Sequence, residues 1–234
     1  VSRGENELER LTEDVLQPAW RRRTQDERRW PVSLAVVVII ALQVTLPEGL
    51  TLGPRWLLPA IEVAMVAALV AADPVRIRRD TPRLRMLALA LIAVASLGNA
   101  WSVAMLVRQI LTGRETGTAA ELIMVGGAVY LLNILSFAIW FWELDRGGPA
   151  RRASGTDPYP DFLFPPMTTP ELAPKDWEPY FLDYLYVAFT NATAFSPTDT
   201  LPMSRWAKAA MGLESAIALL IAILLIAKAV NSLG

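Results

Sequence analysis

Residues Tyr186–Lys208 read YVAFTNATAFSPTDTLPMSRWAK. An aromatic, helix-like run passes directly into Ser-Pro-Thr-Asp and then Leu-Pro, and a long apolar stretch follows. Pro197 removes a backbone donor and clashes with a preceding turn, so a helix arriving from Tyr186 has to stop near it. The run that stops there, YFLDYLYVAFTNAT at 180–193, is too short to cross a bilayer comfortably, since a helical crossing takes roughly 20 residues. Non-helical backbone at membrane depth is tolerated only where protein or a water-filled cavity satisfies it. The stretch therefore predicts a helix that enters part way and a loop, followed by a final span from Met203 to Leu233. If 181–197 instead crosses fully, the chain has one more span.

The rest of the chain supplies the membrane context. Of 234 residues 53% are apolar, which suits one membrane domain rather than a soluble one. Cysteine and histidine are both absent, so thiol nucleophiles, disulfides, an imidazole base and the common zinc, haem and iron–sulfur ligand sets are excluded. No cofactor or metal is implied. Apolar stretches at 31–48 and 56–73 flank the turn EGLTLGPR, and those at 86–111 and 119–143 flank TGRETGT. With the last stretch this gives an all-α integral membrane protein of about five transmembrane helices plus a short re-entrant helix. No cleavable leader is expected, because thirty polar residues precede the first apolar run.

Nineteen arginines outnumber three lysines, and they cluster. Arg21, Arg22, Arg23, Arg28 and Arg29 precede the first span; Arg76, Arg78, Arg79, Arg83 and Arg85 follow the second; Arg146, Arg151 and Arg152 follow the fourth. Only Arg55, Arg108 and Arg114 fall on the other side. Basic residues are retained in the cytoplasm, which places the N-terminus and the 145–180 segment there. Trp30, Trp56, Trp140 and Trp142 lie near span ends and read as interfacial anchors.

Four regions follow. Residues 1–30 are a cytoplasmic segment in which Leu8, Leu11, Val15 and Trp20 recur at helical spacing, either as a surface helix or as a solvated tail. Residues 31–144 form the four-helix membrane domain. Residues 145–180 form a flap; eight of the chain's seventeen prolines lie in 149–179, and Phe162, Leu163, Phe164 and Trp177 predict an extended, ordered segment packed on the membrane domain. Residues 181–234 carry the helix–loop–helix module.

Asp183, Tyr186, Phe189, Thr193, Asp199 and Pro202 fall without a gap in the register of the pore helix, filter and inner helix of the pore-loop cation channel superfamily, the potassium channels and their relatives. The resemblance covers about the last fifty residues, and Glu214 stands where such channels often carry a glutamate. It implies an ion-channel-like function and a homo-oligomer, with four copies favoured, since one loop cannot enclose a pore. The filter positions depart from the family. They read Thr193, Ala194, Phe195, Ser196, Pro197, Thr198 and Asp199, with no glycine to turn carbonyls inward, so a standard potassium-selective filter is not expected. A pore for small monovalent ions lined by Thr193, Ser196, Thr198 and Asp199 and a loop plugged by Phe195 both fit. The segment also resembles the C-terminal part of a group of bacterial membrane proteins with an AFSPTDT signature, which implies a bacterial inner-membrane location.

Charged residues within spans are costly and need partners. Glu62 and Arg108 lie toward the outer ends of neighbouring spans, either as a pinning pair or with Glu62 facing a cavity as a proton or cation site. Glu214 has the same ambiguity, with Arg205 and Lys208 close enough in sequence to screen it. Asn99, Asn133 and Asn191 suit hydrogen bonds between helices. Enzymatic chemistry is not expected: Ser196 and Ser204 lack a histidine, a Ser-Lys arrangement through Lys208 has only proximity, and no phosphate-binding Gly loop occurs. Asp157, Asp161, Asp176 and Glu178 read as solvated loop charges. Nucleic-acid binding is disfavoured because topology already accounts for the arginines. Two classes remain, a conducting pore and a non-conducting accessory membrane protein with a pore-loop fold. A carrier lacks the paired broken helices or internal repeat of secondary transporters.

Overall fold

The computed structural model describes residues 18–24, 27–72, 82–113, 118–194 and 199–231. In chain order its α-helices are α1 (Trp30–Thr45), α2 (Leu57–Ala72), α3 (Pro82–Thr112), α4 (Ala119–Leu144), α5 (Pro149–Ser154), α6 (Pro165–Thr168), α7 (Phe181–Ala194) and α8 (Arg205–Asn231). Two short strands, β1 (Phe162–Leu163) and β2 (Leu201–Pro202), pair antiparallel. Three helical runs among the described residues are long and apolar enough to cross a membrane: Pro82–Thr112, Ala120–Ser154 and Arg205–Asn231. Helices α1 and α2 are apolar but only 16 residues each. At helical rise that is about 24 Å. Pro47 and Pro54 bound the facing ends of the two helices.

Local signals set these boundaries. Pro31 occupies the first turn of α1, where its missing N–H costs nothing. A capping box starts α4: the Glu121 N–H donates to the Thr118 hydroxyl at 3.2 Å and the Thr118 N–H donates to the Glu121 carboxylate at 2.7 Å. Past the end of α4 the chain turns sharply, with Arg146 at φ 49° and Gly148 at φ 99°. A Cβ on Gly148 would lie 2.9 Å from the Glu143 carbonyl oxygen, so glycine is required for the reversal.

Helix α4 is the centre of the bundle, and its partners fix the direction of the others. Asn133 donates to the Glu214 carbonyl (3.4 Å) and Gly126 packs against Leu225, so α8 runs antiparallel to α4. Trp140 donates to Ser96 (2.8 Å), tying α3 to α4. Gln43, near the end of α1, meets Glu62 of α2 and approaches Gly98 of α3.

The flap differs in detail from the extended segment expected. It is built of short helices and one strand, and α5 and α6 each begin at a proline, the position where proline is tolerated. Its aromatic residues do pack inward. Phe162 is fully buried, with ring centroids 5.0 Å from Phe141, 5.6 Å from Trp206 and 6.1 Å from Tyr184. Phe164 stacks edge-on at 5.3 Å against Tyr184 and lies 6.0 Å from Trp177.

Two expectations about tryptophans need correction. Trp30 and Trp56 are about two-thirds exposed, as anchors would be, but Trp142 is buried and donates its indole N–H to Glu27 at 2.7 Å. Trp140 is likewise turned inward to Ser96. The surface helix expected through Leu8, Leu11 and Val15 lies outside the described residues, whereas Trp20 is buried and its carbonyl accepts from Arg146. Trp20 thus seats on the protein and not on a membrane surface.

Candidate functional site

Helix α7 starts beside the flap and runs alongside α4. The Tyr184 hydroxyl donates to Asp145, just past the end of α4, at 2.6 Å. Two turns further along α7, the Ala192 carbonyl accepts from the hydroxyl of Tyr130 at 2.8 Å, and Tyr130 lies in the first half of α4. So α7 is antiparallel to α4. It has 14 residues. At helical rise it therefore ends about 21 Å into the bundle. Helix α8 begins at the same end, because Trp206 donates to Asp161 (2.8 Å) in the flap and β2 pairs with β1. Asp199 and Thr200 line a recess with Phe164, Leu182, Asp183 and Tyr186 beside the first turns of α7. The chain therefore goes in with α7 and is back at the side it started from by Asp199. It then goes in again with α8, parallel to α7.

The end of α7 is held from both sides by buried polar groups. Asn191 donates to the Met211 carbonyl at 2.9 Å and to the Glu214 carboxylate at 2.7 Å, and Ser215 donates to the Asn191 carbonyl at 3.2 Å. Asn133 and Asn191 thus bridge helices, while Asn99 is buried with an unpartnered Oδ1. Glu214 is fully buried and its Oε1 has no partner. Arg205 and Lys208 are exposed and do not screen it, contrary to what their sequence proximity suggested.

Of the filter-like residues, Thr193 and Ala194 form the exposed end of α7, and the Thr193 hydroxyl donates to the Phe189 carbonyl at 2.8 Å. Asp199 is exposed, two residues before β2. Phe195, Ser196, Pro197 and Thr198 lie outside the described residues.

Glu62 and Arg108 do not meet. Glu62 is fully buried and its Oε1 accepts from Gln43 at 2.9 Å, with Oε2 unpartnered. Arg108 is exposed. Gln43 lies beside Gly98 of α3, at the level of Glu62. From Gly98 to Arg108 is about 15 Å along the helix axis, too far for the side chain to return. Spacing in sequence placed both residues toward one end; it carried no information about the helical face.

A second polar cluster was not foreseen. Where the N-terminal segment, α4, the flap and α7 converge, Asp145 accepts from Tyr184 and from the Asp161 N–H (2.8 Å), and Asp161 accepts from the Arg146 N–H (2.9 Å) and Trp206. Glu27 accepts from Trp142, from the Phe181 N–H (2.8 Å) and from Arg152 (3.4 Å). Burial raises the Glu27 carboxyl above its ordinary value of 4.5, against the lowering effect of Arg152 and the two N–H donors. Asp161, expected to be a solvated charge, is the link between flap and α8. The sequence signal available for it was its position beside Phe162 in an otherwise aromatic stretch. Among the described residues no cluster of His, Cys, Asp and Glu suits a metal ion.

Comparison of the chain with protein-family models, curated proteins and solved structures gives no match.

Proposed function

We propose that this chain is a subunit of an oligomeric, pore-loop-type membrane protein that conducts small monovalent ions. The observation that carries the reading is the half-length helix α7, lodged between α4 and α8, whose chain returns to its starting side before α8 begins. A helix of this kind presents its C-terminal carbonyl end, the negative end of its dipole, part way through the bundle, where it favours a cation. Thr193 lies at that end. In this reading α1, α2, α3, α4 and α8 cross the bacterial inner membrane, the N-terminus and flap are cytoplasmic, and four copies surround an axis near residues 193–199.

A specific observation favours the non-conducting alternative. The exposed side of α8 carries Leu213, Leu219, Leu220, Ile223, Ile226 and Val230, which suits lipid or another helix better than a wet pore wall. Flux of potassium and sodium into liposomes holding the purified protein, against empty vesicles, separates the two. Conduction altered by Thr193→Val or Asp199→Asn, with oligomer size unchanged, supports the pore. A monomer or dimer with flux equal to empty vesicles leaves the accessory role.

A further inference from the structure

Glu214 sits where three helices meet, and its surroundings are short of donors. Its Oε2 accepts one amide N–H, from Asn191. Its Oε1 accepts none, although the residue is fully buried. Asn133 of α4 lies against the same residue, with its Nδ2 spent on the Glu214 carbonyl and its own Oδ1 buried and unpartnered. The junction thus holds two buried oxygens, each without a hydrogen-bond partner.

Among the described residues no positive charge is placed to balance an ionised carboxylate there. On α8 the cationic residues are Arg205, Lys208 and Lys228; the first two are exposed, and Lys228 is more than three turns further along. On α3 they are Arg83, Arg85 and Arg108, toward its two ends, and on α4 the titratable residues are Glu121, Tyr130 and Glu143. On α7 they are Asp183, Tyr184 and Tyr186, all in its first two turns, before Asn191. Tyr130 is the near one, and it spends its proton on the Ala192 carbonyl. An unpaired carboxylate in such a place is far costlier than a neutral acid.

We propose that Glu214 is a proton-binding site inside the bundle, holding a proton on Oε1 at neutral pH. The proton comes from solvent, turns a carboxylate into a neutral acid and supplies the hydrogen that the local oxygens lack. Because the other oxygen of the same carboxyl holds Asn191, in the last turn of α7, loss of the proton also changes the grip on the half-helix. The α4–α7–α8 junction has this chemistry whether or not the protein conducts.

Infrared difference spectroscopy on the full chain in lipid nanodiscs at neutral pH tests it. The wild-type minus Glu214→Gln spectrum is expected to contain a carboxylic-acid carbonyl band, and Asn191→Leu is expected to move that band to higher frequency. A difference spectrum with carboxylate bands in its place overturns the proposal. So does an acid band that vanishes when sodium is added, since the ligand is then a metal cation. If Glu214→Gln fails to fold, the Asn191→Leu minus wild-type spectrum decides alone: a shifted acid band supports the site, and the absence of one refutes it.

Discussion

Replacing Asp145 by Ala tests whether the flap is held by its polar cluster or only by its aromatic residues. Asp145 is fully buried; its two carboxylate oxygens accept from the Tyr184 hydroxyl (2.6 Å) and the Asp161 N–H (2.8 Å), and Arg146 Nε lies 3.8 Å away. Alanine orphans the buried Tyr184 hydroxyl, at about 1–3 kcal/mol, and the half-buried Asp161 N–H, at the lower end of that range. It also removes a carboxylate beside the buried Arg146 and Arg152. Breaking such a set from one side costs about 3–5 kcal/mol. These contributions overlap, because the same relaxation relieves both, so a total of about 3–5 kcal/mol is expected. Tyr184→Phe removes one hydrogen bond to a charged acceptor and is expected to cost about 1.5–3 kcal/mol. Since both changes remove the same contact, the double variant should be less destabilised than the sum, by about 0.5–3 kcal/mol. Unfolding in mixed micelles, followed by tryptophan fluorescence, measures the cycle. A loss below about 0.5 kcal/mol for Asp145→Ala, the range of an ordinary surface change, would refute the reasoning, as would strict additivity with Tyr184→Phe.

Other expectations follow from single observations. The raised Glu27 carboxyl gives a contribution that is fully present below pH 4.5, the ordinary value, and is lost as pH climbs through the folded-state value. Wild-type stability should therefore fall relative to Glu27→Gln as pH rises above 4.5, and a parallel pair of pH profiles argues against it. Arg108 is exposed and unpaired with Glu62. Arg108→Gln should accordingly change stability by no more than about 0.5 kcal/mol, and a large loss in thermal unfolding would restore the pairing. At Gly126 even a Cβ would run into the Leu225 side chain. Gly126→Val should cost about 1–3 kcal/mol, and Leu225→Ala in the same chain should recover part of it on chemical unfolding; no recovery would mean that the two do not pack. With the cytoplasmic flap proposed above, a cysteine at Ser154 should resist an impermeant thiol reagent in intact cells while one at Thr112 reacts; the reverse pattern inverts the topology.

Composition and breakers were enough to place the long apolar helices, though not α5 and α6 of the flap. Proline and glycine at Pro47, Pro54, Gly113 and Gly148 interrupt the apolar stretches near where the structure interrupts them, because a missing N–H or a required positive φ acts through the local chain alone. Helix α7 likewise runs to Ala194, the last described residue ahead of Pro197. What local sequence does not encode is which face of one helix meets which face of another. Glu62 chose Gln43 and not Arg108 for that reason, and Trp142 turned from the expected membrane interface toward Glu27, a residue 115 positions away. Asp161 looked like a loop charge until folding brought Arg146 and Trp206 against it. The direction of the chain after α7 was decided in the same way. The β1–β2 pairing and the Trp206–Asp161 bond return it to the flap, and these are contacts across some forty residues that only the assembled bundle brings within hydrogen-bonding distance.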